Sequence, residues 1–175
     1  MSEKNNKTIA ARQSPGGYPL EEQNMTHAQK AKQFFLSGCN CSQSVVCAWA
    51  DELGIDEVTA RKISCGLGGG VGRLREICGA VSGAATVISM LYSGEDGRDK
   101  ATVYGMIQDF AQRFSAETGS VVCRVMLGLD ENTPKSPIPE ERNEKYYQKR
   151  PCAELVYLAA EKLEEVLDEH ISHER

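Results

Sequence analysis

The chain contains no Cys-x-x-Cys pair and no Cys-x-x-Cys-His segment, although seven of its 175 residues are cysteine. The first absence removes the zinc-ribbon and thioredoxin-like patterns, and the second removes haem attachment. No segment approaches the roughly 18 consecutive apolar residues of a membrane span, so none is expected. Lysine and arginine never cluster, and the formal net charge is -5, so a nucleic-acid partner is not expected. The Gly-Lys-Ser/Thr ending of a phosphate loop and the Rossmann glycine spacing are also missing, so no nucleotide is expected. No Ser-His-Asp set, zinc-protease motif or pair of facing carboxylates stands out, which leaves hydrolase chemistry without residues to carry it. The three histidines, His27, His170 and His173, lie at the edges of the pattern and read as surface residues.

At 175 residues one substantial core can be buried, and a single domain is expected. Residues 1–24 are polar, hold Ser14-Pro15-Gly16-Gly17 and lack the apolar stretch of a secretory signal. They read as a flexible arm, with residues 25–175 forming the domain and the cytoplasm as the expected compartment. In a reducing compartment the cysteines are expected as thiols, metal ligands or transient redox pairs rather than structural disulfides.

Helical signals fill the domain. Thr26 caps a helix to Leu36, and Asn40 caps a second from Cys41 to Leu53 with Val45, Val46, Trp49 and Leu53 on one stripe. Asp56 caps a short third helix, which the run Gly66-Leu67-Gly68-Gly69-Gly70-Val71-Gly72 must end. Glu76 to Leu91 is apolar or small all round, as in a helix surrounded by others. A long helix follows from Asp99 to about Ala116, with Val103, Ile107, Phe110 and Phe114 on one face. A short helix is expected over Val121 to Leu127, with Ser120 as its cap. Residues 128–145 carry Pro134, Pro137, Pro139 and many charges, and read as a surface connection. The last helix runs from Pro151 to about His170 with Leu155, Leu158, Ala159, Leu163 and Val166 inward. The fold class is all-α, a single-domain bundle of about six helices around a buried central helix, with no strand. Such a bundle is compatible with a homodimer.

Four of the cysteines, Cys41, Cys78, Cys123 and Cys152, fall where helices begin. The positive end of a helix stabilises a thiolate, the form that binds metal or does redox chemistry. Asn40 precedes Cys41, Ser120 stands shortly before Cys123 and Pro151 precedes Cys152, whereas Cys78 has no capping residue before it. A buried small hydrophobe is the plain alternative for any one cysteine. That alternative is preferred for Cys47 and Cys65, which lie inside apolar patterns, while Cys39 reads as a loop cysteine. Gly68, Gly69, Gly70 and Gly79 let chain or cofactor come close to backbone. Arg73 and Arg75 could contact an anionic ligand.

The segments Asn40-Cys41-Ser42-Gln43-Ser44-Val45, Gly66-Leu67-Gly68-Gly69-Gly70, Cys78-Gly79-Ala80-Val81-Ser82-Gly83, Val122-Cys123-Arg124 and Pro151-Cys152-Ala153 resemble the C_GCAxxG_C_C family, bacterial proteins ascribed redox activity. The likeness runs from about residue 28 to 167, with four cysteines in order. It implies a small redox-associated protein with an unidentified redox partner. The family is also similar to a domain of split-Soret cytochromes that holds an iron–sulfur cluster, although this chain lacks their haem site. The leading expectation is therefore an iron–sulfur cluster on Cys41, Cys78, Cys123 and Cys152, used in electron transfer or redox sensing. Two other readings stay open: thiol–disulfide chemistry by two of the same cysteines, and a structural zinc or buried thiols in a helical interaction module.

Overall fold

A computed structural model describes residues 25–173. The flexible arm expected over residues 1–24 lies outside the described residues, so that expectation is untouched.

Eight helices carry the described chain: α1 His27–Leu36, α2 Cys41–Ala48, α3 Glu57–Ser64, α4 Gly79–Tyr92, α5 Lys100–Thr118, α6 Cys123–Met126, α7 Glu144–Lys149 and α8 Cys152–His173. The fold is all-α. Its β content among the described residues is one isolated antiparallel bridge between Ile77 and Val122.

Local chemistry sets the starts of the first three helices. Thr26 and Asn40 each form a capping box, in which the cap side chain accepts from the N3 backbone and the N3 glutamine reaches back. Asp56 accepts from Thr59 N at the start of α3. Helix α2 ends earlier than its apolar stripe suggests. At Trp49 and Ala50 the hydrogen bonds shift to partners three residues back, Val46 O and Cys47 O, and the chain continues as turns to Gly54.

Helices α2, α4 and α8 pack on one another, with α1 against α2 and α8, and α5 against α4 and α8. Helix α4, the expected buried central helix, packs against α2, α5 and α8 and buries Ala80, Val81, Ala84, Val87 and Ile88. The core joins Val45 and Val46 of α2, Val87 and Ile88 of α4, Phe110 and Phe114 of α5, and Val156 and Leu163 of α8. The inward face of α8 is rotated from the one expected: Val156 and Ala160 are fully buried, while Leu155 and Leu158 are partly exposed. On α5, Met106 rather than Ile107 completes the buried face. Gly83 lets α4 close on α2, since a Cβ there would lie 2.9 Å from Ser42 O.

Two further expectations give way. The connection after Leu127 contains a helix, α7, capped by Asn143. The segment Val121-Val122 is not helical: Val121 lies at a bend and Val122 is extended. Ser120 Oγ accepts from Val122 N, and α6 begins only at Cys123. No helix among the described residues is long and apolar enough to cross a membrane.

Candidate functional site

Each of the four motif cysteines is positioned by a different device. Cys41 opens α2 behind Asn40, whose side chain caps the helix and donates to Cys65 O at 2.8 Å. That bond ties the start of α2 to the end of α3. Cys78 stands in the N-cap place of α4, which is why no separate capping residue precedes it. Its segment is bonded to the one before α6: Cys78 N donates to Val121 O at 2.9 Å, and Cys123 N to Glu76 O at 2.6 Å. Cys78 and Cys123 are thereby held side by side. Pro151 sits just before α8 rather than inside it, and its carbonyl accepts from Leu155 N at 2.9 Å, leaving Cys152 as the first helical residue.

The chain between α3 and α4 winds left-handed. Gly69, Gly70, Val71, Gly72 and Arg73 all have positive φ, followed by Arg75 at 66°. This conformation costs L residues roughly 1–2 kcal/mol each, and three glycines lower that cost. The glycines expected near a cofactor are enclosed by protein. A Cβ on Gly70 would fall 2.8 Å from Cys123 Cβ, one on Gly79 would fall 3.1 Å from Cys41 Cβ, one on Gly68 would overlap Asn40, and one on Gly69 would press on Arg73. The bare Cα atoms of Gly70 and Gly79 make room for Cys123 and Cys41.

Cys41 and Cys152 form a hydrogen-bonded thiol pair, and Cys78 and Cys123 lie within its electrostatic reach. The pair splits the two acidities. Donation to Cys152 raises the Cys41 pKa, with burial and the three neighbouring thiols adding to the effect. Cys152 is lowered, first by the Cys41 thiol and then by Arg150, Arg75 and Arg142. Burial pushes Cys78 up to about 12, against the pull of the Ala80 and Val81 backbone. Burial also raises Cys123, although Arg75 bonds its sulfur and acts the other way. Cys78, Cys123 and Cys152 are buried and Cys41 partly so.

Sequence reading reached Arg73 and Arg75 but missed Arg142, Arg150 and Tyr146. The Tyr146 ring, on α7, is flanked by the guanidinium groups of Arg142 at 5.6 Å and Arg150 at 5.3 Å. Glu140 pairs with Arg73, Arg75 and Arg150, so one carboxylate faces three guanidinium groups. The adjacency of Arg150 to Pro151-Cys152 was the one available signal. A surface cavity of about 630 Å³, lined in part by Leu127, Glu140, Tyr146 and Arg150, opens at the residues preceding Cys152.

The remaining cysteines divide. Cys65 is exposed, against the burial expected of it. Cys39 and Cys47 are both buried and form a second hydrogen-bonded thiol pair. Donation from Cys47 lowers Cys39 to about 7 and raises Cys47.

Four thiols without a competing carboxylate or imidazole suit iron–sulfur ligation, and the arginines would offset the cluster's negative charge. Ser42 Oγ, fully buried next to Cys41 in sequence, has no hydrogen-bond partner. Among the described residues no three His, Cys, Asp or Glu side chains are gathered so as to hold a metal ion. Around one zinc, Zn–S bonds of about 2.3 Å would bring sulfurs within roughly 4 Å of each other. A multi-iron cluster spreads its thiolates over several irons and so tolerates a wider set. By donor chemistry alone, four thiols are a set that could hold an iron–sulfur cluster.

Residues 39–166 match the family described as "Putative redox-active protein (C_GCAxxG_C_C)". No curated protein and no solved structure matches the chain.

Proposed function

The chain belongs to the C_GCAxxG_C_C family, and on that premise we propose that Cys41, Cys78, Cys123 and Cys152 hold an iron–sulfur cluster used in electron transfer or redox sensing. What supports this reading is the packing of the cysteine segments: backbone bonds hold the Cys78 segment beside that of Cys123, Gly70 lies against Cys123 and Gly79 against Cys41, and Cys152 meets the Cys41 thiol. A bound cluster would supply a one-electron redox couple. The chain's own groups would do the rest. The four sulfurs bind after losing their protons, Arg75 and Arg150 balance the negative charge, and Tyr146 with α7 limits water. Each lost proton makes binding pH-dependent.

The test is anaerobic purification followed by iron and acid-labile sulfide analysis with an absorption spectrum. Iron and sulfide in equal amounts, both lost in Cys152→Ser, are expected. A colourless protein that takes up no iron after reconstitution overturns the reading.

The Cys41–Cys152 contact favours one second reading, thiol–disulfide exchange with an incoming disulfide. Cys152 would attack, and Cys41 would resolve the mixed disulfide. Peptide mapping that finds these two cysteines joined, in protein that never takes up iron, would select it.

A further inference from the structure

Three guanidinium groups converge on one carboxylate oxygen near the cysteine segments. Arg150 Nη2 donates to Glu140 Oε1, and Arg73 Nη2 and Arg75 Nη2 each lie 3.6 Å from that same atom. A hydrogen bond of this kind spans about 2.7–3.2 Å, so two of the three groups face Glu140 without bonding it. Arg73 is held instead through its Nε, which donates to Ser136 O at 2.6 Å. The arginine side chains are largely covered, at 21%, 14% and 15% exposed for Arg73, Arg75 and Arg150, whereas that of Glu140 is 46% exposed. One negative charge thus faces three positive ones.

Backbone and surroundings both suit a ligand in place of Glu140. Arg73 and Arg75 adopt φ of 70° and 66°, left-handed values that cluster at ligand-binding sites when non-glycine residues adopt them. The charged residues lining the cavity of about 630 Å³ are Glu140, Glu141, Lys145, Lys149 and Arg150. With Glu140 withdrawn, three cations and one carboxylate remain there. Arg142, two residues further on, anchors the connection by donating to Phe35 O at 2.6 Å and to Cys39 O at 2.7 Å. The Glu140 side chain can therefore swing outward while the connection stays in place. A carboxylate presents two oxygens in one plane, whereas a phosphate group presents three or four in different directions and carries more charge at neutral pH. It is the better match to three separate guanidinium forks.

We propose that Arg73, Arg75 and Arg150 form a binding site for a phosphate-class oxyanion, and that Glu140 occupies it as an internal ligand until the anion displaces it. The anion's oxygens take the place of Glu140 Oε1 and draw in the Arg73 and Arg75 groups that now stop at 3.6 Å. The displacement makes and breaks no covalent bond. The site borders the motif cysteines: Arg75 O accepts from Arg124 N at 3.0 Å, next to Cys123, and Arg150 stands two residues before Cys152. A bound phosphate group would present the molecule that carries it to those cysteines. Anion binding here does not require an iron–sulfur cluster.

Inorganic phosphate and glycerol 3-phosphate are each titrated into the full-length protein by calorimetry, at an ionic strength fixed with sodium chloride. Saturable binding at one site is expected. It should be about tenfold tighter in Glu140→Gln, where the internal competitor is gone, and at least about tenfold weaker in Arg73→Gln. Tighter binding of inorganic phosphate identifies the free anion as the ligand. Tighter binding of glycerol 3-phosphate identifies the phosphate group of a larger molecule that extends into the cavity. Absence of saturable binding in the unsubstituted protein overturns the proposal. So does equal affinity in that protein and Glu140→Gln, which would leave Glu140 as a structural ion pair only. Malonate binding as tightly as either phosphate would overturn the phosphate class. The Glu140→Gln comparison stands even where Arg73→Gln does not fold. Samples are compared at equal iron content, so the cluster reading can fail while this test remains intact.

Discussion

His27 illustrates what one residue can tie together. Its Nδ1 lies 2.9 Å from Glu164 of α8, its Nε2 2.8 Å from Glu52, and its ring stacks on Trp49 at 4.2 Å. Only the imidazolium carries a hydrogen on both nitrogens, so only it can donate to both carboxylates. Burial pulls the His27 pKa down, but the two carboxylates outweigh it and the net shift is upward. Glu52 is lowered by the same pairing. The His27 contribution is therefore complete below the ordinary histidine value of 6.5 and is lost as pH rises through the folded value. The Glu52 contribution is present above 4.5 and is lost as pH falls through its lowered value. Replacing His27→Gln should cost about 1–2 kcal/mol near pH 6 and clearly less at pH 8.5, as read by urea unfolding. A loss independent of pH would mean that the ring acts through Trp49 alone. The histidine's position at the start of α1 was legible, because Thr26 caps that helix. Its burial was not, since its partners come from positions 52 and 164.

At the scale of elements, what could be read locally was read. The caps at Thr26, Asn40 and Asp56 depend on neighbours three residues away. Helix α7 escaped notice because none of its residues is buried and the preceding prolines dominate the composition. The glycine run was legible as a helix stop but not as a left-handed turn, since Val71, Arg73 and Arg75 share the positive φ without being glycine. That turn can be tested by comparing two substitutions. Gly97→Ala meets only the strain of its φ of 68°, with nothing within 4 Å of the new Cβ, and should cost about 1 kcal/mol. Gly70→Ala has a similar φ of 71° but also meets Cys123 Cβ at 2.8 Å and Arg75 Cα at 2.9 Å. It should cost at least about 2 kcal/mol and weaken iron uptake by displacing Cys123. Equal unfolding midpoints for the two variants would show that the turn yields to the added methyl group.

Across the whole molecule, Cys41 and Cys152 were legible as helix starts because the Asn40 cap and Pro151 are local signals, whereas Cys78 and Cys123 have no side-chain cap hydrogen bond at their helix starts. The mutual distances of the four were not legible, because these depend on the Ile77–Val122 bridge and on the packing of α8 against α2. Assembling them has an energetic consequence. In the metal-free fold, Cys41, Cys78 and Cys123 all have pKa values above the ordinary 9.0, and Cys78 reaches about 12. The native state then holds protons that the unfolded chain has already released. Stability from these thiols is intact below pH 9 and falls as pH rises beyond it, by about 1.4 kcal/mol per pH unit for each thiol held protonated. Metal-free protein should therefore lose unfolding free energy between pH 9 and 10.5, and Cys78→Ala should lose less over that interval. If the cluster forms, its sulfurs carry no protons to release, and the reconstituted protein should unfold at a higher temperature with a flatter alkaline profile. Thermal unfolding of the three samples across that pH range measures both effects. Parallel profiles for the metal-free protein and Cys78→Ala would mean that the thiol site is open enough for Cys78 to ionise as it does in the unfolded chain.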